Sequence, residues 1–179
     1  MIGLFGGTFD PIHLGHLRTV LDVQEKLGLD EVRFIPSADP PHRDAPSVSA
    51  EQRAEMVRLA IESQQGFVYD GRELARNGPS YTVLTLESFR EEQGPDEPLC
   101  LIVGTDAFLG FPSWHRWDAL LGLCNVAVMV RPGYHLDESA FPPGWLHERL
   151  TSMEKWDRDR SSGQVVEVEV TQLEISATD

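Results

Sequence analysis

Short apolar runs alternate with amphipathic stretches along most of this chain. Ile2–Phe5 has the continuous apolar character of a buried strand, and Leu14–Leu27 carries apolar residues at helical spacing until Gly28 closes it. A second strand, Val32–Ile35, follows almost at once, making a strand–helix–strand unit whose crossover sets the two strands parallel. The segment from Pro36 to Val48 holds four prolines and is expected to be irregular. Ser49, with Gln52 at the capping-box position, predicts a helix over Ala50–Glu62, and Ser80 is expected to cap another that runs to about Gln93. Phe67–Tyr69 reads as a short strand. Leu99–Val103 and Asn125–Val130 read as longer ones, ending at Gly104-Thr105-Asp106 and Arg131-Pro132-Gly133. Val166–Val170 alternates strictly, as a strand with one wet face does. The alternation predicts an α/β fold: a Rossmann-like, doubly wound, mostly parallel sheet with helices on both faces. Ligands in such sheets sit beyond the carboxyl ends of the strands.

Composition narrows this picture. With 179 residues the chain is expected to form one domain, 1–179, with a substantial core of its own. No apolar run approaches the roughly 20 residues of a spanning helix, and the N-terminus lacks a signal peptide's basic region and cleavage site. A cytoplasmic location without membrane association is therefore expected. Cys100 and Cys124 lie in apolar segments without metal-ligand spacing, so buried free thiols are expected. The net charge of −14 repels polyanions and argues against nucleic acid as a partner. An anionic small ligand would need a local cluster of donors.

The stretch GGTFDPIHLGHL, 6–17, is such a cluster. Gly6 and Gly7 end the first strand, where they permit close backbone approach and positive φ. The helix that follows offers free N–H groups and the positive end of its dipole, a ready phosphate site. The stretch has neither the GxxxxGK[ST] of a Walker loop nor the GxGxxG of a dinucleotide fingerprint. Instead His13 and His16 fall at the first helical turn, where both imidazoles can donate to the same phosphate oxygens. The alternative is a pair of ordinary helix-surface histidines.

With His13, Gly15 and His16, this stretch resembles the first motif of the HxGH nucleotidyltransferases. Pro40-Pro41-His42-Arg43 is similar to a PPHK segment, Arg76–Thr82 to RxGxSYT, and Gly104–Asp106 with Phe108 and Trp114 to GxDxFxxFxxW. Arg131-Pro132-Gly133 matches an RPG, and 175–178 the start of ISSTxIR. Together they resemble the bacterial nicotinate-nucleotide adenylyltransferase family from end to end. Three departures stand out. Arg43 replaces a Lys, and Leu84 stands where an acidic residue commonly follows SYT. The sequence also ends at Asp179, before the Ile-Arg and the helix that would complete the last motif, so a longer protein is expected rather than an impaired enzyme.

The resemblance implies transfer of the AMP moiety of ATP to nicotinate mononucleotide in NAD biosynthesis, with ATP and the mononucleotide as small-molecule partners. It assigns His13 and His16 to the ATP phosphates, His16 being favoured for the α-phosphate. Gly6, Gly7, Thr8, Phe9 and Gly104 would also contact ATP, with Asp106 on ribose hydroxyls and Ser176 and Thr178 on the phosphates. Mg²⁺ is the implied cofactor, held mainly by phosphate oxygens and water rather than by a protein cluster. On the acceptor side, Trp114 would stack on the pyridine and the backbone of Ser80, Tyr81 and Thr82 would receive its carboxylate. Arg131 would bind the mononucleotide phosphate, and His42 and Arg43 would close over the substrate. Another HxGH enzyme, using phosphopantetheine or nicotinamide mononucleotide, and a non-catalytic nucleotide sensor are the alternatives.

Overall fold

A computed structural model describes residues 1–38 and 48–171. Among these residues seven strands form one sheet: β1 (Ile2–Gly7), β2 (Glu31–Pro36), β3 (Phe67–Tyr69), β4 (Leu99–Gly104), β5 (Asn125–Val130), β6 (Leu150–Thr151) and β7 (Val165–Glu169). Their spatial order is β3-β2-β1-β4-β5-β7-β6, and every neighbouring pair is parallel. The order reverses between β1 and β4. That is the switch point at which a doubly wound sheet opens a crevice.

Side chains alternate between two buried faces, which is why the central strands read as continuous apolar runs. Ile2 and Leu4 of β1 join Leu99, Leu101 and Val103 of β4 and Val126 and Val128 of β5 on one face. Phe5, Cys100, Ile102 and Ala127 point to the other. Two longer helices, α1 (Leu14–Leu27) and α2 (Ala50–Ile61), cover the second face with Val20, Val23, Val57 and Ile61. A four-residue helix, α3 (Arg72–Ala75), precedes α4 (Thr82–Gln93), which covers the first face with Val83, Leu86 and Phe89. Beyond β4 the helices are short: α5 (Thr105–Leu109), α6 (Leu120–Leu123) and α7 (Trp145–Arg149).

Helix boundaries follow local chemistry. Gly28 ends α1 in the left-handed region, φ 66°, where a Cβ would be strained. At α2, Ser49 Oγ accepts the Gln52 N–H and Gln52 Oε1 accepts the Ser49 N–H, each at 3.2 Å, so the expected capping box forms. At α4 the expectation fails. Tyr81, not Ser80, is the N-cap residue, and it makes no side-chain cap. The Ser80 hydroxyl is buried and used elsewhere: it accepts the Ala38 N–H at 3.2 Å and hydrogen-bonds the Glu73 carboxyl. The last strand begins and ends one residue earlier than its alternation suggested, with Glu167 and Glu169 on the wetter face. Both cysteines are free and buried, as expected. Among the described residues no helix is long and apolar enough to cross a membrane.

Candidate active site

A cleft of about 1170 Å³ lies along the carboxyl ends of β1, β4 and β5. Its floor at the switch point is Gly6 and Gly7 on one side and Gly104 on the other. Neither of the first two glycines uses the positive φ open to it; both lie within β1. The left-handed residue is Phe9, φ 52°, an uncommon conformation for a side chain of its size. Its ring is buried and packs edge-on against Phe5 and His16, with centroids 5.6 Å away in each case. Gly7 has a steric reason of its own, since a Cβ there would come within 3.2 Å of the Phe9 ring. Thr8 and Phe9 also line the cleft.

His13 and His16 are brought together at the start of α1. Their rings stack, with centroids 3.9 Å apart and planes 26° off parallel. His13 is the N-cap residue: its Nδ1 accepts the Gly15 N–H at 3.1 Å, and His16 Nδ1 accepts the His13 N–H at the same distance. A neutral imidazole that accepts through Nδ1 carries its proton on Nε2. The helix start thus selects the tautomer of both rings and presents each Nε2 as a donor. His16 lines the cleft, whereas His13 is not among its walls.

Asp106 is the second residue of α5, exposed at the carboxyl end of β4 and on the cleft wall. Beside it, Thr105 Oγ1 donates to the Met129 carbonyl at 3.0 Å and ties this end of β4 to β5. Arg131, just past β5, is exposed and faces the same cleft. Trp114 is half-buried, with one side against Phe111 (centroids 4.6 Å apart) and a place on the cleft wall. Ser80, Tyr81 and Thr82 also line the cleft. The first helical bonds of α4 run from the Leu84 and Thr85 N–H groups to the Tyr81 carbonyl, so the Thr82 and Val83 N–H groups precede them, and the missing side-chain cap at Tyr81 leaves that helix end suited to an anion. His42, Arg43, Ser176 and Thr178 lie outside the described residues. Leu84, the departure from the acidic pattern, packs against the core.

Three residues at the site carried no expectation. His115 stacks on Tyr81, centroids 4.3 Å apart and planes 24° off parallel, and extends the aromatic wall beside Trp114. Glu73 of α3 is buried on the cleft wall, where it accepts the Thr85 hydroxyl at 2.6 Å. Burial pushes its carboxyl up to about 7, against the opposing pull of the Thr85 hydroxyl, the Arg76 charge and the Ser80 hydroxyl. Arg53 of α2 is buried below the loop that carries Thr8. Of these, Arg53 had a sequence signal: it shares the i, i+4, i+8 stripe of α2 with Val57 and Ile61, so a cation stood on an apolar face.

A profile of the cytidylyltransferase-like family matches residues 4–179. A probable nicotinate-nucleotide adenylyltransferase of Pseudomonas paraeruginosa is 47% identical over 99% of this chain and 82% of its own length. One from Methylococcus capsulatus is 46% identical over 99% of this chain and 85% of its own. In fold, the chain is similar to Plasmodium falciparum nicotinic acid mononucleotide adenylyltransferase complexed with NaAD. The TM-score is 0.71 at 18% identity, covering 99% of this chain and 80% of that one. With its HxGH pair seated at the switch point of a parallel sheet and relatives this similar along nearly its whole length, the chain belongs to the nicotinate-nucleotide adenylyltransferase family.

Proposed function

We propose that this protein, acting as a single cytoplasmic domain, transfers the adenylyl group of ATP to nicotinate mononucleotide, a step of NAD biosynthesis. A phosphate oxygen of the mononucleotide, already ionised at neutral pH, attacks the α-phosphorus of ATP. The bond from that phosphorus to the oxygen bridging it to the β-phosphate breaks, and pyrophosphate leaves with the electron pair. The products are nicotinate adenine dinucleotide and pyrophosphate. No protein nucleophile takes part, so catalysis is positioning and charge stabilisation.

The observation that carries this reading is the paired Nδ1 capping of His13 and His16, which puts the proton of each neutral ring on Nε2 at a helix N-terminus. His16, on the cleft wall, would donate to the α-phosphate as charge builds there, and His13 would hold the His16 ring and contribute to phosphate binding. Backbone N–H groups where β1 ends, from Gly6 to Phe9, and the α1 dipole would receive the triphosphate. Gly104 brings the backbone close to ATP, and Asp106 would accept ribose hydroxyls. Across the cleft, Trp114 would stack on the pyridine while the Thr82 end of α4 receives its carboxylate. Arg131 would pair with the mononucleotide phosphate.

Mg²⁺ enters this scheme as part of the ATP substrate. Among the described residues no three His, Cys, Asp or Glu side chains gather as a metal-ligating group. An ion that arrives on phosphate oxygens and keeps much of its water needs no such group. The test is pyrophosphate release from ATP and Mg²⁺ with nicotinate mononucleotide, nicotinamide mononucleotide or phosphopantetheine as acceptor. Turnover fastest with the first is expected. Preference for either other acceptor, or nucleotide binding without turnover, would refute the assignment.

A further inference from the structure

We infer that Arg53 is a positioning residue for the triphosphate loop: its buried guanidinium, clamped between the Thr8 and Ser37 carbonyls, sets the peptide from which Phe9 presents its N–H. The side chain is 1% exposed. One nitrogen, Nη1, donates to Thr8 O at 2.6 Å and to Ser37 O at 2.7 Å, joining the loop after β1 to the exit of β2. Nε is buried with no hydrogen-bond partner among the described residues. Burying a cation costs several kcal/mol unless it is well bonded, and an apolar residue on this stripe of α2 would avoid that cost. Burial accordingly lowers the guanidinium pKa, with the Asp10 and Glu51 carboxylates opposing. A charge kept under such a penalty, with its bonds directed at the loop of the site, indicates a task beyond packing.

The task follows from amide geometry. In a trans peptide the N–H points opposite to the C=O. With the Thr8 oxygen drawn inward onto Arg53, the Phe9 N–H is sent outward, away from the core. Phe9 itself takes a left-handed φ of 52°, which a bulky side chain adopts only when its surroundings over-determine it. The aromatic contacts of its ring hold one end of that arrangement, and Arg53 holds the other. Ser37 is less dependent on the clamp, because its own N–H donates to the Gly7 carbonyl at 2.9 Å. Loss of the guanidinium should therefore disturb the Thr8 side, where ATP phosphates are proposed to bind, more than the Ser37 side. The inference rests on that assignment.

The test compares Arg53→Met, which keeps the bulk without the charge, with Arg53→Lys, whose single ammonium can return a donor to the carbonyls. Thermal melts establish folding, steady-state kinetics give KM and kcat for each substrate, and calorimetry with a non-hydrolysable ATP analogue reads loop occupancy directly. For R53M, kcat/KM for ATP is expected to fall on the order of 10-fold or more. KM for nicotinate mononucleotide should stay within about threefold, and R53K should recover a large part of the loss. Analogue affinity should follow the same order. Wild-type ATP parameters in a folded R53M would overturn the inference. So would equal losses for both substrates that track the melting temperature and are not relieved in R53K. If R53M fails to fold, R53K against wild type is judged by the same split between substrates. Should the wild-type protein turn over none of the acceptors, the proposed reaction fails, while the calorimetric ranking still decides the role of Arg53.

Discussion

The His13 and His16 rings stack 3.9 Å apart while each spends its Nδ1 on a backbone N–H of the other's neighbourhood, so one motif caps a helix and orients two donors. The two tasks separate by substitution. Asn is a strong N-cap residue, so His13→Asn should keep the start of α1 and leave the melting temperature close to wild type. His16→Ala removes the residue on the cleft wall, and turnover should fall on the order of 10²-fold or more with folding largely intact. His13→Asn should retain more activity than His16→Ala. Reversal of that ranking in single-turnover assays would mean that His13, not His16, is the principal donor.

This double use explains what the amino-acid pattern revealed and what it hid. Elements stabilised by their own chemistry were legible: α1 between His13 and Gly28, α2 from its Ser49–Gln52 box, and the apolar runs that became β1, β4 and β5. Ser80 misled because a hydroxyl of cap-forming type was instead committed to Glu73 and Ala38, partners that only the tertiary fold brings to it. The short helices α3, α6 and α7 and strand β6 were invisible. Each is four or five residues or fewer, too brief for periodicity, and owes its shape to tertiary contacts such as Phe141 stacked on Trp145. In the site, motif residues declared themselves, whereas Glu73 and His115 became evident only when their neighbours were brought to them.

Both thiols should be silent in the folded protein. Cys100 and Cys124 are buried, and burial pushes the thiol pKa of each up, for Cys124 to about 12, so almost no thiolate exists near neutrality. A thiol reagent such as DTNB should titrate neither in the native state and both in denaturant. Rapid native labelling would mean that the sheet around β4 opens readily.

Trp114 divides its surface between Phe111 and the cleft, so its truncation should report in two ways. For Trp114→Ala, KM for the mononucleotide should rise about 10-fold through lost stacking, with ATP affinity little changed, and the melting temperature should drop as the Phe111 contact is lost. Trp114→Phe should recover part of both. If ATP and acceptor affinities fall together, the indole supports the core and does not touch the acceptor.

Glu73 gives a pH signature with a definite sign. Burial raises its carboxyl from an ordinary 4.5 to about 7 in the folded protein, so the native state binds a proton that the unfolded chain has already lost over that interval. The resulting stabilisation is complete below about pH 4.5 and is lost as pH rises through 7, a change of at most about 3 kcal/mol. Glutamine keeps acceptors for the Thr85 and Ser80 hydroxyls but cannot ionise. Glu73→Gln should therefore match wild type near pH 5 and become the more stable of the two at pH 8, where the Arg76 charge only partly compensates a buried carboxylate. Urea unfolding at the two pH values measures the difference. A wild-type advantage that grows with pH would show that the Glu73–Arg76 attraction outweighs desolvation, and that this wall of the cleft is negatively charged when the acceptor's carboxylate must approach it.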